Sequence, residues 1–150
     1  MHLSIRLATI ADLDSLAGLF DAYRVFYEQP SDLAGARAFL GERMAHRQSV
    51  ILLAQDEADN ALGFAQLYPS FTSAAMKPIF ILNDLFVTPG ARQRGVGGAL
   101  LQAAADHGRA LGAARLTLKT AIDNLAAQRV YEANGWACET QFLSYNLPLA

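Results

Sequence analysis

LNDLFVTPGARQRGVGGALLQAA, residues 82–104, is the stretch that decides how this chain folds. An apolar strand runs into a turn at Thr88, Pro89 and Gly90. Arg92 and Arg94 follow, then Gly95, Gly97 and Gly98, then a long helix of apolar period. A strand feeding a glycine-rich, basic loop at a helix start is a place to hold phosphates. The first-turn N–H groups lack partners within the helix and point at an incoming anion. Arg92 and Arg94 add cationic donors suited to a diphosphate. Glycines at 95, 97 and 98 remove side chains that would hold phosphate oxygens off the backbone, although glycine at a helix start also serves close packing.

Spacing excludes two common phosphate ligands. A P-loop needs G-x-x-x-x-G-K-[ST], and no lysine follows this loop. A dinucleotide fingerprint needs G-x-G-x-x-G, and Leu100 stands where its third glycine belongs. The segment does match R-x-x-G-x-G, as Arg92, Gln93, Arg94, Gly95, Val96 and Gly97. It resembles the acetyl-CoA loop of the GCN5-related N-acetyltransferase (GNAT) superfamily.

Residues 124–136, NLAAQRVYEANGW, carry a second pattern. Asn124, Ala127, Gln128 and Tyr131 lie at helical spacings of three, four and seven, so they share one face. Seven residues of helix rise about 10 Å. Gly135 suits the left-handed residue just past a helix end. The pattern resembles the N-x-x-A-x-x-x-Y-x-x-x-G-[FW] segment that follows the fifth strand in GNAT enzymes, and the two motifs stand in the family's order and separation.

The chain has 150 residues, enough for one domain with a real core, and a single domain spanning 1–150 is expected. No apolar run approaches the roughly 18 residues of a membrane span. The N-terminus lacks the pattern of a signal peptide. The one cysteine, Cys138, cannot form an internal disulfide, and no Cys/His cluster has zinc spacing, so no metal is expected. A cytoplasmic location is expected. The formal charge of −2 gives no general attraction to nucleic acid.

Periodicity orders the elements as β-α-α-β-β-β-α-β-α-β. Strands are expected at 3–7, 49–56, 62–71, 78–87, 115–120 and 137–147. Helices are expected from Thr9 to about Tyr27, at about 33–46, at about 95–111, and around Tyr131. Thr9 and Asp12 form a capping-box-like start. A mixed, mostly antiparallel α/β sheet of about six to seven strands, flanked by about four helices, is the natural packing. The order is similar to the GNAT fold over nearly the whole chain, least so in the first 45 residues.

The resemblance implies a chemistry. The strands on either side of the phosphate loop part, and the backbone of Leu85, Phe86 and Val87 pairs with the pantetheine amides. Residues 92–98 hold the diphosphate, while Asn124, Ala127 and Gln128 line the cofactor arm. The phenol of Tyr131 protonates the leaving thiolate. A lysine-like amine has a pKa near 10, so a base or a desolvating pocket is needed. Many GNAT sequences have Glu-Asp where this one has Asn83 and Asp84. Asn83 cannot take a proton, so Asp84 is the remaining acid, with a structural carboxylate as its even alternative. Tyr27, Tyr68 and Phe71, with Asn83, are expected to wall an amine pocket; Tyr23 and Phe26 read as core. His46 and His107 read as surface residues, and Cys138 as a small core or sheet residue. The expected reaction is acetyl transfer from acetyl-CoA to a primary amine of a small molecule, a polyamine, amino acid or similar. A protein lysine or N-terminus is the second acceptor. A non-catalytic acyl-CoA sensor and a nucleotide-binding regulator are the readings of other classes. Strand 137–147 is the expected contact of a homodimer, since related enzymes commonly dimerise there.

Overall fold

The computed structural model describes residues 2–150, and its contacts divide the chain into two units, Met1–Lys119 and Thr120–Ala150. The first unit holds a sheet of order β1-β2-β3-β4-β5. Its elements are β1 (Ser4–Leu7), α1 (Leu13–Phe26), α2 (Leu33–Ala45), β2 (Val50–Gln55), β3 (Ala61–Thr72), β4 (Lys77–Val87), α3 (Val96–Ala110) and β5 (Leu116–Thr117). The first four strands pair antiparallel, and β5 joins β4 in parallel.

Strand β2 reads VILLAQ, apolar up to its closing Gln55, and all but its first residue are buried. Such a run suits a strand covered on both faces. Helices α1 and α2 cover one face, where Leu16, Phe20 and Leu40 pack on Ile51, Leu53, Phe64 and Phe86. Helix α3 covers the other, burying Val96, Leu100, Leu101 and Ala104. Leu13, Leu16, Leu19 and Phe20 recur at helical spacing along α1 and form its buried apolar stripe. Thr9 and Asp12 do form a capping box, but they cap a short 3-10 turn, Ile10–Asp12, that precedes α1. Asp32 caps α2 by accepting from the Gly35 N–H at 2.9 Å.

The second unit contains α4 (Leu125–Ala133). Asn124 caps it, its side chain accepting from the Ala127 N–H at 3.2 Å. At the far end Gly135 has φ of 91°. Its N–H reaches Glu132 O and the Trp136 N–H reaches Tyr131 O, which is the Schellman arrangement. Gly135 therefore ends the helix as the sequence predicts.

Two expectations about strands need correcting. The expected strand at 115–120 shrinks to Leu116–Thr117. Residues 137–147 form no strand, so the described sheet has five strands rather than six or seven. Alternation marks a segment able to pair, but a strand exists only where a neighbour supplies the hydrogen bonds. Phe142, Leu143, Tyr145 and Leu147 are exposed, as is Cys138, which is therefore neither a core nor a sheet residue.

Candidate active site

Strand β4 positions the first part of the site by losing neighbours. On the β5 side its pairing stops at Phe80 with Leu116 and Ile81 with Thr117. From Leu82 onward no strand among the described residues flanks β4 on that side. On the β3 side, Thr88 N–H donates to Leu62 O at 2.9 Å. Antiparallel pairs alternate between bonded and non-bonded, and Phe64 lies opposite Phe86 two steps along. Phe86 thus spends its N–H and C=O on β3. Leu85 and Val87 turn theirs to the open side. This corrects the expectation that all three backbones are free to pair with a ligand; Phe86 is not. Gly63 permits this close approach, since a Cβ there would lie 2.5 Å from Phe86 O.

A bulge reshapes the same strand. Gln66 lies opposite Asp84 and Leu67 opposite Leu82, which leaves Asn83 as the extra residue. The bulge swaps faces. Leu82 sits with Leu67, while Asp84 sits with Gln66 on the face of α1, although positions two apart on a regular strand share a side. Asn83 itself is exposed, and Asp84 is 4% exposed.

Asp84 sits among donors. Gln66 Nε2 donates to it at 2.6 Å and Asn83 Nδ2 at 3.1 Å, and the Tyr23 hydroxyl bonds it from α1. Burial pushes this carboxyl above its ordinary value, and the three hydrogen bonds pull it part of the way back. Tyr68 is pushed up to about 12, first by burial and then by the Asp84 charge, so it stays a phenol. Gln66 Oε1 is buried without a hydrogen-bond partner among the described residues. The sequence did not single out Gln66, and it assigned Tyr23 to the core. Nothing local signals a pair eighteen residues apart that meets across a bulge.

The glycine-rich loop forms the second part. Gly95 is the N-cap of α3 and has φ of 79°, a left-handed value that favours glycine. Ala99 N–H is the first to bond back, to Gly95 O at 3.0 Å. The N–H groups of Val96, Gly97 and Gly98 thus enter the turn without helical acceptors, and no side chain caps them. A Cβ at Gly95 would meet nothing within 4 Å, and one at Gly97 only Val87 Cγ2 at 3.9 Å. Close packing by the protein therefore does not require glycine at 97, where helix propensity disfavours it. The space beside the free amides fits a phosphate.

The two arginines differ. Arg92 Nε donates to Val87 O at 3.0 Å, and its guanidinium stands 5.0 Å over the Phe26 ring and 5.7 Å over the Phe86 ring. One of the open-side carbonyls of β4 is thus already engaged. Phe26 is 56% exposed and stacks beneath Arg92, so it is not the core residue its spacing suggested. Arg94 and Gln93 are exposed on the loop, Gln93 with φ of 61°.

Tyr27 is about half exposed and packs edge-on against Tyr23 at 5.0 Å. Phe71 is strongly exposed at the far end of β3, well along the strand from the bulge. In the second unit, Asn124 and Gln128 both serve the turn before α4. Gln128 Nε2 donates to Ala121 O and Ile122 O. Tyr131 is half-buried, its ring tilted against Trp136 at 6.0 Å. Among the described residues no group of acids, histidines or cysteines could hold a metal ion.

The sequence pattern of the acetyltransferase (GNAT) family matches residues 16–136. The "uncharacterized N-acetyltransferase YhfO" of Bacillus subtilis is 49% identical over 145 residues, covering 97% of each chain. The "aminoglycoside N(6')-acetyltransferase type 1" of Klebsiella aerogenes is 31% identical over 124 residues, covering 81% of this chain and 79% of its own. Among solved structures, the crystal structure of a "probable acetyltransferase" is 44% identical with a TM-score of 0.94, covering 98% of both chains. Loop, helix start, sheet order and these likenesses agree: the chain belongs to the acetyltransferase (GNAT) family and is an acyltransferase of that fold.

Proposed function

We propose that this protein transfers an acetyl group from acetyl-CoA directly to a primary amine of a small molecule. The observation that carries the reading is the open space at Gly95 and Gly97 over three amides of α3. There the amides of Val96, Gly97 and Gly98 take the diphosphate, with Arg94 as the nearby cation. Arg92 has a second task in this reading. By holding Val87 O and stacking on Phe26 and Phe86, it fixes the end of β4 from which the loop departs. The open-side backbone of Leu85 and the N–H of Val87 pair with the pantetheine arm as an added strand.

Acetyl-CoA supplies an activated acyl group as a thioester. The residues of the chain align, polarise and move protons. Alignment alone contributes much of the rate in such a reaction. A backbone N–H on the open side of β4 donates to the thioester carbonyl as negative charge builds. Tyr131 is assigned the proton that the departing thiolate takes up, on the strength of its motif. Asn124, Ala127 and Gln128 belong to the cofactor side on the same ground.

On the acceptor side, Asn83 presents an exposed amide at the bulge, and Asp84 behind it supplies a buried negative charge. That charge favours an approaching ammonium, and Asp84 is the acid assigned to take its proton. Tyr27 and Tyr68 offer aromatic faces to the same cation, and Phe71 is their outlying member. A small amine is favoured over a protein lysine because one relative is named as an aminoglycoside N(6')-acetyltransferase. A homodimer and a cytoplasmic location complete the reading; the exposed apolar side chains between 142 and 149 support the first.

Two measurements test it together. Acetyl-CoA, unlike ATP or NAD, raises the melting temperature, as a ligand of the native state must. Thiol release from acetyl-CoA then depends on an added amine from a panel of polyamines, amino acids and aminoglycosides. Stabilisation by ATP or NAD instead, or thiol release indifferent to every amine, contradicts the proposal.

A further inference from the structure

Among the described residues the buried polar ones are Gln55, Gln66 and Asp84, and the last two bond each other. Gln66 is fully buried, and its Nε2 donates to Asp84 Oδ2 at 2.6 Å. Its other amide atom, Oε1, is buried with no hydrogen-bond partner among the described residues. An unmatched buried carbonyl is a standing cost, and an apolar side chain of similar size would avoid it. Apolar replacement of buried polar groups is often neutral or stabilising. Packing alone therefore gives no reason for glutamine at 66. Service to the carboxylate does.

Tyr23 meets the same carboxylate from α1. Its ring packs edge-on against Phe64 at 5.9 Å and Phe86 at 6.2 Å. Phe64 and Phe86 are a cross-strand pair two residues from Gln66 and Asp84. These contacts fix the ring, and its hydroxyl bonds Asp84. Tyr68, two residues beyond Gln66 on β3, feels the Asp84 charge, and Arg43 of α2 acts on Tyr68 in turn. The titratable and charged groups around the carboxyl are thus Tyr23 from α1, Tyr68 from β3 and, through Tyr68, Arg43 from α2. Asn83 donates from the exposed side at 3.1 Å. Water can stand in for an exposed amide, but it has no access to Gln66.

We infer that Gln66 and Tyr23 are positioning residues for the proposed reaction: they hold the Asp84 carboxyl ionised and in place to take the proton of the acceptor amine. The inference rests on the reading of Asp84 as that acid. A base must be ionised before the amine attacks. Burial favours the neutral acid, and donors to the charged form oppose it. Remove either buried donor and burial gains, so the carboxyl keeps its proton to higher pH.

The test reads the carboxyl and the reaction separately, both in the full chain. Carbon-13 NMR follows the Asp84 carboxyl through pH with no acetyl-CoA or amine present, and Asp84→Asn identifies its resonance. In parallel, kcat/KM is measured against pH with the amine of the panel that releases thiol fastest. Gln66→Met fills the space of glutamine without its amide, and Tyr23→Phe keeps the packed ring. Each raises the Asp84 midpoint by about 1–2 pH units. The acid limb of the rate profile moves up with it, and the acetyl-CoA dissociation constant stays within about threefold. Asn83→Ala moves the midpoint less, since water replaces an exposed donor. An unmoved midpoint in the folded variants would overturn the inference and leave Gln66 and Tyr23 as packing residues, even where Asp84→Asn abolishes the acid limb. A midpoint that rises while the limb stays in place would remove Asp84 as the base, and this inference with it. Should Gln66→Met fail to fold, Tyr23→Phe carries the test, since it deletes one oxygen and no packing.

Discussion

Gly97→Ala separates what the protein needs from what its ligand needs. Gly97 is the second residue of α3, and the new methyl would meet only Val87 Cγ2 at 3.9 Å, an ordinary contact. Alanine is favoured over glycine in a helix by about 1 kcal/mol, somewhat less in a first turn. The free protein should therefore gain about 0.5–1 kcal/mol. For a chain of this length that is a rise of about 1–4 °C in melting temperature. The same methyl stands where a phosphate oxygen must approach the amides. Loss of one charge-assisted hydrogen bond costs about 1.5–3 kcal/mol, so the acetyl-CoA dissociation constant should rise about 10- to 100-fold. Thermal melts of the free protein and calorimetric titration with acetyl-CoA read the two effects separately. A less stable variant would mean that the glycine serves internal packing. Unchanged affinity would mean that the phosphates lie elsewhere. Either result refutes the reasoning.

Other expectations follow from the same geometry. Tyr131→Phe should cut turnover by about 10²- to 10⁴-fold with little change in acetyl-CoA affinity, as steady-state kinetics at saturating substrate would show; an unchanged rate removes the phenol from the mechanism. Asp84→Asn should abolish the acid limb of the rate profile. With its carboxyl held above the usual range by burial, that limb should lie at higher pH than a free aspartate gives; a variant that keeps both rate and profile excludes Asp84 as the base. Arg6 grips Asp12 through two 2.8 Å contacts, and with the Thr9 N–H it lowers that carboxyl to about 2. A depressed value stabilises the folded state above about pH 4 and is lost as pH falls through about 2. The wild type should exceed Asp12→Asn by about 1–2 kcal/mol at neutral pH in denaturant titrations, and the gap should close near pH 2; a gap independent of pH would assign the effect to packing.

Much of this architecture was legible because it is written locally. The α3 start needs only a left-handed glycine and a run of apolar residues, and both lie within twenty residues of sequence. The Schellman end of α4 is announced by Gly135. What escaped is non-local. The bulge at Asn83 carries no glycine to mark it, and its effect is visible only when Gln66 is set opposite Asp84. For that reason the three donors around Asp84 were not legible in the sequence. Charge and spacing at Arg92 say nothing about its contacts to Val87 O and to the Phe26 ring arriving from α1. His107 looked like a surface residue, since one polar position in the last turn of a helix gives no hint that its ring packs edge-on against Phe80 at 5.4 Å. The segment 137–147 has a strand's alternation without a strand's partner.

The most direct test of the central claim is a crystal structure of the protein with acetyl-CoA. The account predicts diphosphate oxygens within hydrogen-bond distance of the Val96, Gly97 and Gly98 amides, with the pantetheine arm bonded to Leu85 and Val87 rather than Phe86. A diphosphate seated away from residues 92–98, or an arm bonded through Phe86, would contradict it.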